Sequence, residues 1–279
     1  MSEFQIVDAA PLPQRVLLTG PTGRIGSVLR SKFAGRYALL RLGDFVPMGE
    51  AGPGEELCPM DLCDPASLDR ACEGIDTIVH LGAQSVETDW PTILDANISG
   101  GYNLFEAARR QNVKRVVFAS SHHAIGFYRR EHGLDDAVPP RPDSRYGLSK
   151  AFGEALGRFY ADKFGLSVAC IRIGVCRTRP EDVRHLSIWI SENDMARLIS
   201  RCIEAPAYHY LMLYGISANT RAFWTNPDAA RIGYVPQDNA ETYASELPAA
   251  TQGESPVSAA FQGGYYCPPE FSGDTSRID

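Results

Sequence analysis

Apolar residues recur along much of the chain in two alternating rhythms. Short runs rich in branched residues, "RVLLTG" (15–20), "YALLRLGD" (37–44), "TIVHLGA" (77–83), "KRVVFASS" (114–121) and "SVACIRIGVC" (167–176), read as strands. Between them lie segments whose apolar residues return at helical spacing: "RIGSVLRSKFAG" (24–35), "SLDRACEG" (67–74), "ILDANISGGYNLFEAARRQN" (93–112) and "SKAFGEALGRFYADKFG" (149–165). "MDLCDP" closes a further strand at Asp61 and Leu62, and Asp64 before Pro65 marks a helix start. Such alternation predicts an α/β fold with a parallel sheet covered on both faces, whose ligands bind at the carboxyl ends of the strands. Beyond about residue 177 the rhythm loosens into one helix ("DMARLISRCIEAP"), one strand ("YLMLYGIS") and a short helix with a proline stop ("NPDAARIGYVPQD"). The expected division is therefore a core over 12–176, a small part over 177–247 interleaved with it, and a Pro-, Gly- and Ser-rich tail over 248–279 lying on the surface.

The first strand runs into "TGPTGRIG" and then a helix. Gly20 permits a tight turn, Gly23 lets the backbone approach a pyrophosphate, and Gly26 allows close helix–strand packing. Arg24 and Ile25 lie in the same loop, and the helix start offers N–H groups to phosphate. The order strand, loop, helix makes this a Rossmann-type doubly wound sheet, so that 12–176 reads as a dinucleotide-binding domain. Asp44, at the end of the second strand, suits the adenosine ribose hydroxyls and repels a 2′-phosphate, which favours NAD over NADP; Arg41 nearby softens that preference.

"FASSHHAIG" places Ser120 and Ser121 at a carboxyl end, facing the cofactor site. There is no G-x-S-x-G elbow for a hydrolase. His122 and His123 are neighbours, which points their side chains apart, and no cysteine pair or HExxH joins them, so no metal is expected. Downstream, Tyr146 and Lys150 in "SRYGLSKAFGE" stand four apart, on one face of a helix. An ammonium beside a phenol favours the phenolate, which can take a proton from a substrate hydroxyl while hydride leaves the same carbon for nicotinamide; Ser121 would hold that hydroxyl.

Composition adds boundaries. The 279 residues are 44% hydrophobic and 22% charged with a net charge of −7, which gives no electrostatic footprint for nucleic acid or an anionic membrane. No apolar run reaches membrane-spanning length. The N-terminal stretch "MSEFQIVDAAPLPQR" lacks a signal-peptide pattern, and seven cysteines, odd in number and without a CxxC pair, fit a reducing cytoplasm. Self-association is common among soluble enzymes, so a homo-oligomer stays open, with no segment marking its interface.

Together, "TGxxGxxG", the Asp closing the second strand, "DL", Asn97 in "NISG", the serine and "YxxxK" resemble the extended short-chain dehydrogenase/reductase (NAD-dependent epimerase/dehydratase) family. Within it, "HLGAQSVE", "NISGGYNLFEAAR", "FASSHHAIGFY", "RPDSRYGLSKAFGE", "IRIGVC", "VRHLSIW", "YGISAN" and "FQGG", from about Val16 to Gly264, resemble the uronate dehydrogenases. That resemblance implies oxidation of C1 of a pyranose hexuronate, such as glucuronate or galacturonate, by NAD to an aldarolactone. It implies Ser121, Tyr146 and Lys150 as catalytic residues, with Lys150 also on the nicotinamide ribose. Gly20, Gly23, Arg24, Ile25, Gly26, Asp44, Asp61, Leu62, Leu81, Gly82 and Ala83 would surround the cofactor, and Asn97 would support the active-site helix. Ser85, Ser121, His122, Tyr146 and Arg184 would line the sugar site, with Arg184 on the C6 carboxylate and Phe261 from the tail closing it.

Two positions depart from the family pattern. "SSHH" stands where "SSNH" is usual, so His122 replaces an amide, and "RIGVC" stands where "RIGSC" is usual, so Val175 lacks a hydroxyl. The chemistry is expected to survive while the sugar stays open. Alternatives are another C6-anionic sugar, a 6-phosphate or 6-sulfonate surrounded by Arg177, Arg179 and Arg184; a nucleotide-sugar epimerase or dehydratase, for which the C-terminal part is short; and a non-catalytic NAD sensor, which would commonly lack the tyrosine or lysine.

Overall fold

The computed structural model describes residues 12–206, 208–248 and 253–279. The N-terminal stretch read for a leader lies, through residue 11, outside the described residues, as does the start of the tail at 249–252. The elements run in the expected order: β1 (Leu12–Thr19), α1 (Arg24–Phe33), β2 (Tyr37–Asp44), β3 (Glu55–Pro59), α2 (Pro65–Cys72) and β4 (Thr77–His80). There follows one continuous helical stretch, α3 (Trp90–Ile93), a π-helical segment (Leu94–Ser99) and α4 (Gly100–Arg110). Then come β5 (Arg115–Ser121), α5 (Arg145–Phe164), β6 (Ser167–Ile173), β7 (Val175–Cys176), α6 (His185–Ile188), β8 (Trp189–Ile190), α7 (Glu192–Glu204), β9 (Tyr210–Gly215) and α8 (Pro256–Ala260).

The main sheet has the order β3-β2-β1-β4-β5-β6-β9, and its strands pair in parallel throughout. Order reverses between β1 and β4, which opens a crevice at their carboxyl ends. Side chains alternate across each strand, so a strand buried on both faces feeds two cores. Val16 and Leu18 join α1 and α7 on one face, and Leu17 joins α2, α4 and α5 on the other. The part after residue 177 is no separate layer, because β9 completes the sheet and α7 packs on it.

Local chemistry sets the helix boundaries. Asp64 caps α2 by accepting from Ala66 N, as its position before Pro65 implies. Helix α5 begins at Arg145, four residues ahead of the stretch picked out by its apolar spacing, because Ser144 caps it by accepting from Gly147 N. It ends at Gly165 in the left-handed conformation. Its glycines set the depth of packing: a Cβ on Gly153 would overlap the Phe118 ring, and one on Gly147 would overlap the His123 carbonyl. Among the described residues no helix is long and apolar enough to cross a membrane.

Candidate active site

At the crevice the structure has a cleft of about 960 Å³. Its nucleotide end is built mostly from backbone. Gly20 makes the turn at φ +68°, and a Cβ on Gly26 would overlap the Gly20 carbonyl oxygen. Gly23 caps α1 without a side-chain bond, which leaves the first helical N–H groups for a ligand. Asp44 accepts from the Thr22 hydroxyl at 2.6 Å and from Phe45 N at 2.9 Å, which fixes its carboxylate at the rim. Arg41 does not face this end: its guanidinium pairs with Glu56 and donates to the Ala71 and Glu73 carbonyls, beside α2. The Thr19 hydroxyl accepts from Leu81 N and Gly82 N and so gives its own proton to His80 Nδ1, 2.9 Å away. Burial holds the His80 ring neutral, its pKa pushed down to about 3, and the start of the loop after β4 is thereby fixed. Arg24, Ile25, Asp61, Leu62, Leu81, Gly82 and Ala83 all line the cleft.

The middle of the cleft gathers Ser121, Tyr146 and Lys150. Lys150 Nζ donates to the Ala119 carbonyl at 2.9 Å and stands 5.5 Å from the centroid of the Tyr146 ring. Burial alone lowers the Lys150 pKa to about 8. At the Tyr146 phenol, burial raises the pKa and the Ser121 hydroxyl opposes it more weakly, so the phenol lies above its ordinary value. This reverses the expectation of a phenol lowered by its lysine, because desolvation penalises the phenolate more than its neighbours favour it. Two supports hold the set in place. Asn97, which does not itself line the cleft, accepts from Gln84 N and donates to Ser149 Oγ, and Ser149 donates to the Tyr146 carbonyl. Ser120 lines the cleft beside Ser121, while its hydroxyl gives its proton to Glu154 at 2.6 Å, and Glu154 forms a buried two-pronged pair with Arg172.

The far end is built from side chains drawn from distant segments: Ser85, His122, His123, Val175, Arg177 and Tyr266. The two histidines do not point apart. The strand ends at Ser121 and the chain turns at once into a 3-10 helix, so strand alternation no longer applies and the ring centroids sit 4.0 Å from each other. His123 Nδ1 is bonded to Asp143 at 2.7 Å, and its ring stacks on Tyr266 at 3.9 Å. Among the described residues no His, Cys, Asp or Glu cluster could hold a metal.

Tyr266 was missed in the sequence because the tail was expected on the surface. In fact Ser258, Phe261, Gln262, Gly264 and Cys267 are buried. The Gln262 side chain accepts from Trp224 Nε1 and donates to the Arg129 and His132 carbonyls, and Gly263 N donates to the Gly126 carbonyl. Polar residues in this segment mark interior hydrogen bonds rather than solvent. Phe261 is accordingly 0% exposed, packed edge-to-face on Phe127, and does not line the cleft. Arg184 does not line it either. It is 9% exposed beneath the tail, with Nη1 donating to the Gln262 carbonyl, while its Nε is buried with no partner. Of the other two loop arginines, Arg177 lines the cleft, whereas Arg179 pairs with Glu246 away from it.

Residues 16–207 match the NAD dependent epimerase/dehydratase family. A uronate dehydrogenase of Pseudomonas putida is 43% identical over 255 residues, which is 90% of this chain and 95% of that one. The structure of a mutant uronate dehydrogenase from Agrobacterium tumefaciens complexed with NAD superposes with a TM-score of 0.87 at 42% identity, covering 91% of this chain and 97% of that one. An NAD-dependent glucose-6-phosphate dehydrogenase of Haloferax volcanii is 35% identical, over 84% of this chain and 97% of that one.

Proposed function

Because the chain belongs to the NAD-dependent epimerase/dehydratase family, among its uronate dehydrogenases, we propose that this NAD-dependent oxidoreductase oxidises C1 of a hexuronate to the aldarolactone. The observation that carries this reading is the convergence of Ser121, Tyr146 and Lys150 in one cleft with a glycine-built nucleotide end. Gly20, Gly23 and Gly26 would admit the pyrophosphate against the N–H groups of α1, and the fixed Asp44 carboxylate would take the adenosine ribose. Bound NAD supplies the hydride acceptor. Ser121 Oγ and Tyr146 Oη would hold the C1 hydroxyl, and Tyr146 would remove its proton. Lys150, kept near Tyr146 by the Ala119 carbonyl, would bind the nicotinamide ribose and oppose the desolvation of the phenol. Asn97 positions α5 through Ser149, and Arg184 would hold the C6 carboxylate from beneath the tail.

A 6-phosphate or 6-sulfonate would call on Arg184 as well and on Arg177, which lines the cleft paired with Glu181; the likeness to uronate dehydrogenases is what favours the carboxylate. The seven unpaired cysteines, five of them buried, fit a cytoplasmic location. The test is NADH formation at 340 nm with glucuronate, galacturonate, glucose 6-phosphate, a 6-sulfo sugar and glucose. Turnover confined to the uronates is expected. Turnover of another anion without the uronates would overturn the reading.

A further inference from the structure

His122 is 3% exposed, at the sugar end of the cleft and next in sequence to Ser121. Its Nδ1 lies 3.1 Å from the carbonyl oxygen of Ile173, at the end of β6. A carbonyl oxygen only accepts, so Nδ1 carries the proton. Burial, reinforced by the nearby charge of Arg184, keeps the ring neutral. A neutral imidazole has one proton, so Nε2 presents a bare lone pair. That atom is buried and has no partner in the protein. Arg184 Nε is its counterpart, a buried donor likewise without a partner. Two of the three orphaned buried side-chain atoms among the described residues therefore lie at this end of the molecule, one seeking a donor and the other an acceptor.

An amide side chain at position 122 could turn either its oxygen or its nitrogen to a ligand. The imidazole cannot, because Ile173 fixes its tautomer and the rings of His123 at 4.0 Å and Trp224 at 6.0 Å fix its plane. Carboxylate and phosphate oxygens carry only lone pairs and are repelled by a bare nitrogen. A ring hydroxyl is not. Resting on the reading of this chain as a sugar 1-dehydrogenase, we propose that His122 is a specificity-determining residue: its Nε2 accepts a hydrogen bond from one ring hydroxyl of the sugar and leaves the anion to Arg184. The site thus selects sugars by the presence and orientation of that hydroxyl, and it requires an O–H donor where an amide would tolerate an acceptor.

The experiment compares wild type, His122→Leu and His122→Asn on the preferred uronate and on its 2-, 3- and 4-deoxy analogues, by kcat/KM. Wild type is expected to lose about ten- to a hundredfold on one analogue. His122→Leu should lose a similar factor on the parent sugar and nothing further on that analogue. His122→Asn should recover part of the loss. Two results would overturn the proposal: equal losses on every analogue in all three proteins, or a His122→Leu defect that follows the carboxylate and vanishes on a neutral aldose. Nitrogen-15 NMR of the wild-type ring gives a readout independent of turnover. An unprotonated Nε2 near pH 7 is expected, and a protonated one rejects the assignment. If wild type oxidises no uronate, the functional reading fails on its own; the same analogue series on whichever sugar is oxidised, with the NMR result, then judges His122 separately.

Discussion

The two ends of the cleft are made of different material. The nucleotide end is backbone: a turn at Gly20, a contact only glycine allows at Gly26, and helix N–H groups left without a cap. The sugar end is side chains from the loop after β4, the 3-10 turn after β5, β7 and the tail, held by bonds between residues far apart in sequence. A backbone site recognises what all dinucleotides share, and few substitutions can retune it. A side-chain site is retuned one residue at a time, and His122 and Val175 both line that end.

The sharpest way to break the comparison is at the point where both ends meet. Tyr146→Phe is expected to lower kcat at least a hundredfold, on the order of what a general base contributes, while NAD binding by calorimetric titration changes only severalfold. Wild-type turnover in that variant would remove Tyr146 from the chemistry. Gly26→Ala attacks the backbone end alone. With no room for a Cβ beside the Gly20 carbonyl, NAD affinity should fall on the order of tenfold or more, on all substrates alike. Arg184→Ala attacks the side-chain end alone. KM for the uronate should rise about tenfold, with a neutral aldose nearly unaffected; equal effects on both would count against carboxylate capture.

The smallest effect is on stability. Burial depresses the Lys150 pKa to about 8 in the folded chain, against about 10.5 unfolded. Below pH 8 the folded state therefore carries the full penalty of a buried ammonium. The penalty fades as pH rises from 8 to 10.5, where the unfolded state alone still gains the proton. Lys150→Met should raise the melting temperature by a few degrees at pH 7 while abolishing turnover, with the gain shrinking above pH 8. A gain independent of pH would mean that packing, not charge, is responsible.

Legibility in the sequence follows the same divide. The β1–α1 loop, the second strand ending at Asp44 and the Tyr146–Lys150 spacing are local patterns, readable because each is written within a few residues of chain. The roles of Ser120, His123 and Tyr266 were not readable. The Ser120 hydroxyl is engaged by a Glu154–Arg172 pair whose members lie 18 apart, and His123 lies beside His122 because the chain passes directly from the strand into a 3-10 turn that no local pattern marks. The tail misled for a physical reason: Gln262 and Ser258 look solvated by type but are buried, hydrogen-bonded to Trp224, to loop carbonyls and to Glu254. At the phenol, the lysine beside it is visible in sequence and the depth of burial that opposes ionisation is not.

The inward course of the tail also orders events in time. Ribosomes build chains from the N-terminus, so β1 to β6 and both their cores can form before Gln262 and Tyr266 exist. Until those residues thread between the loop at 126–132 and Trp224, the anchor on Arg184 is missing and His123 lacks its stacking partner. In a growing chain the segments that line the glycine-built end of the cleft are thus all present before Tyr266 can join the far end.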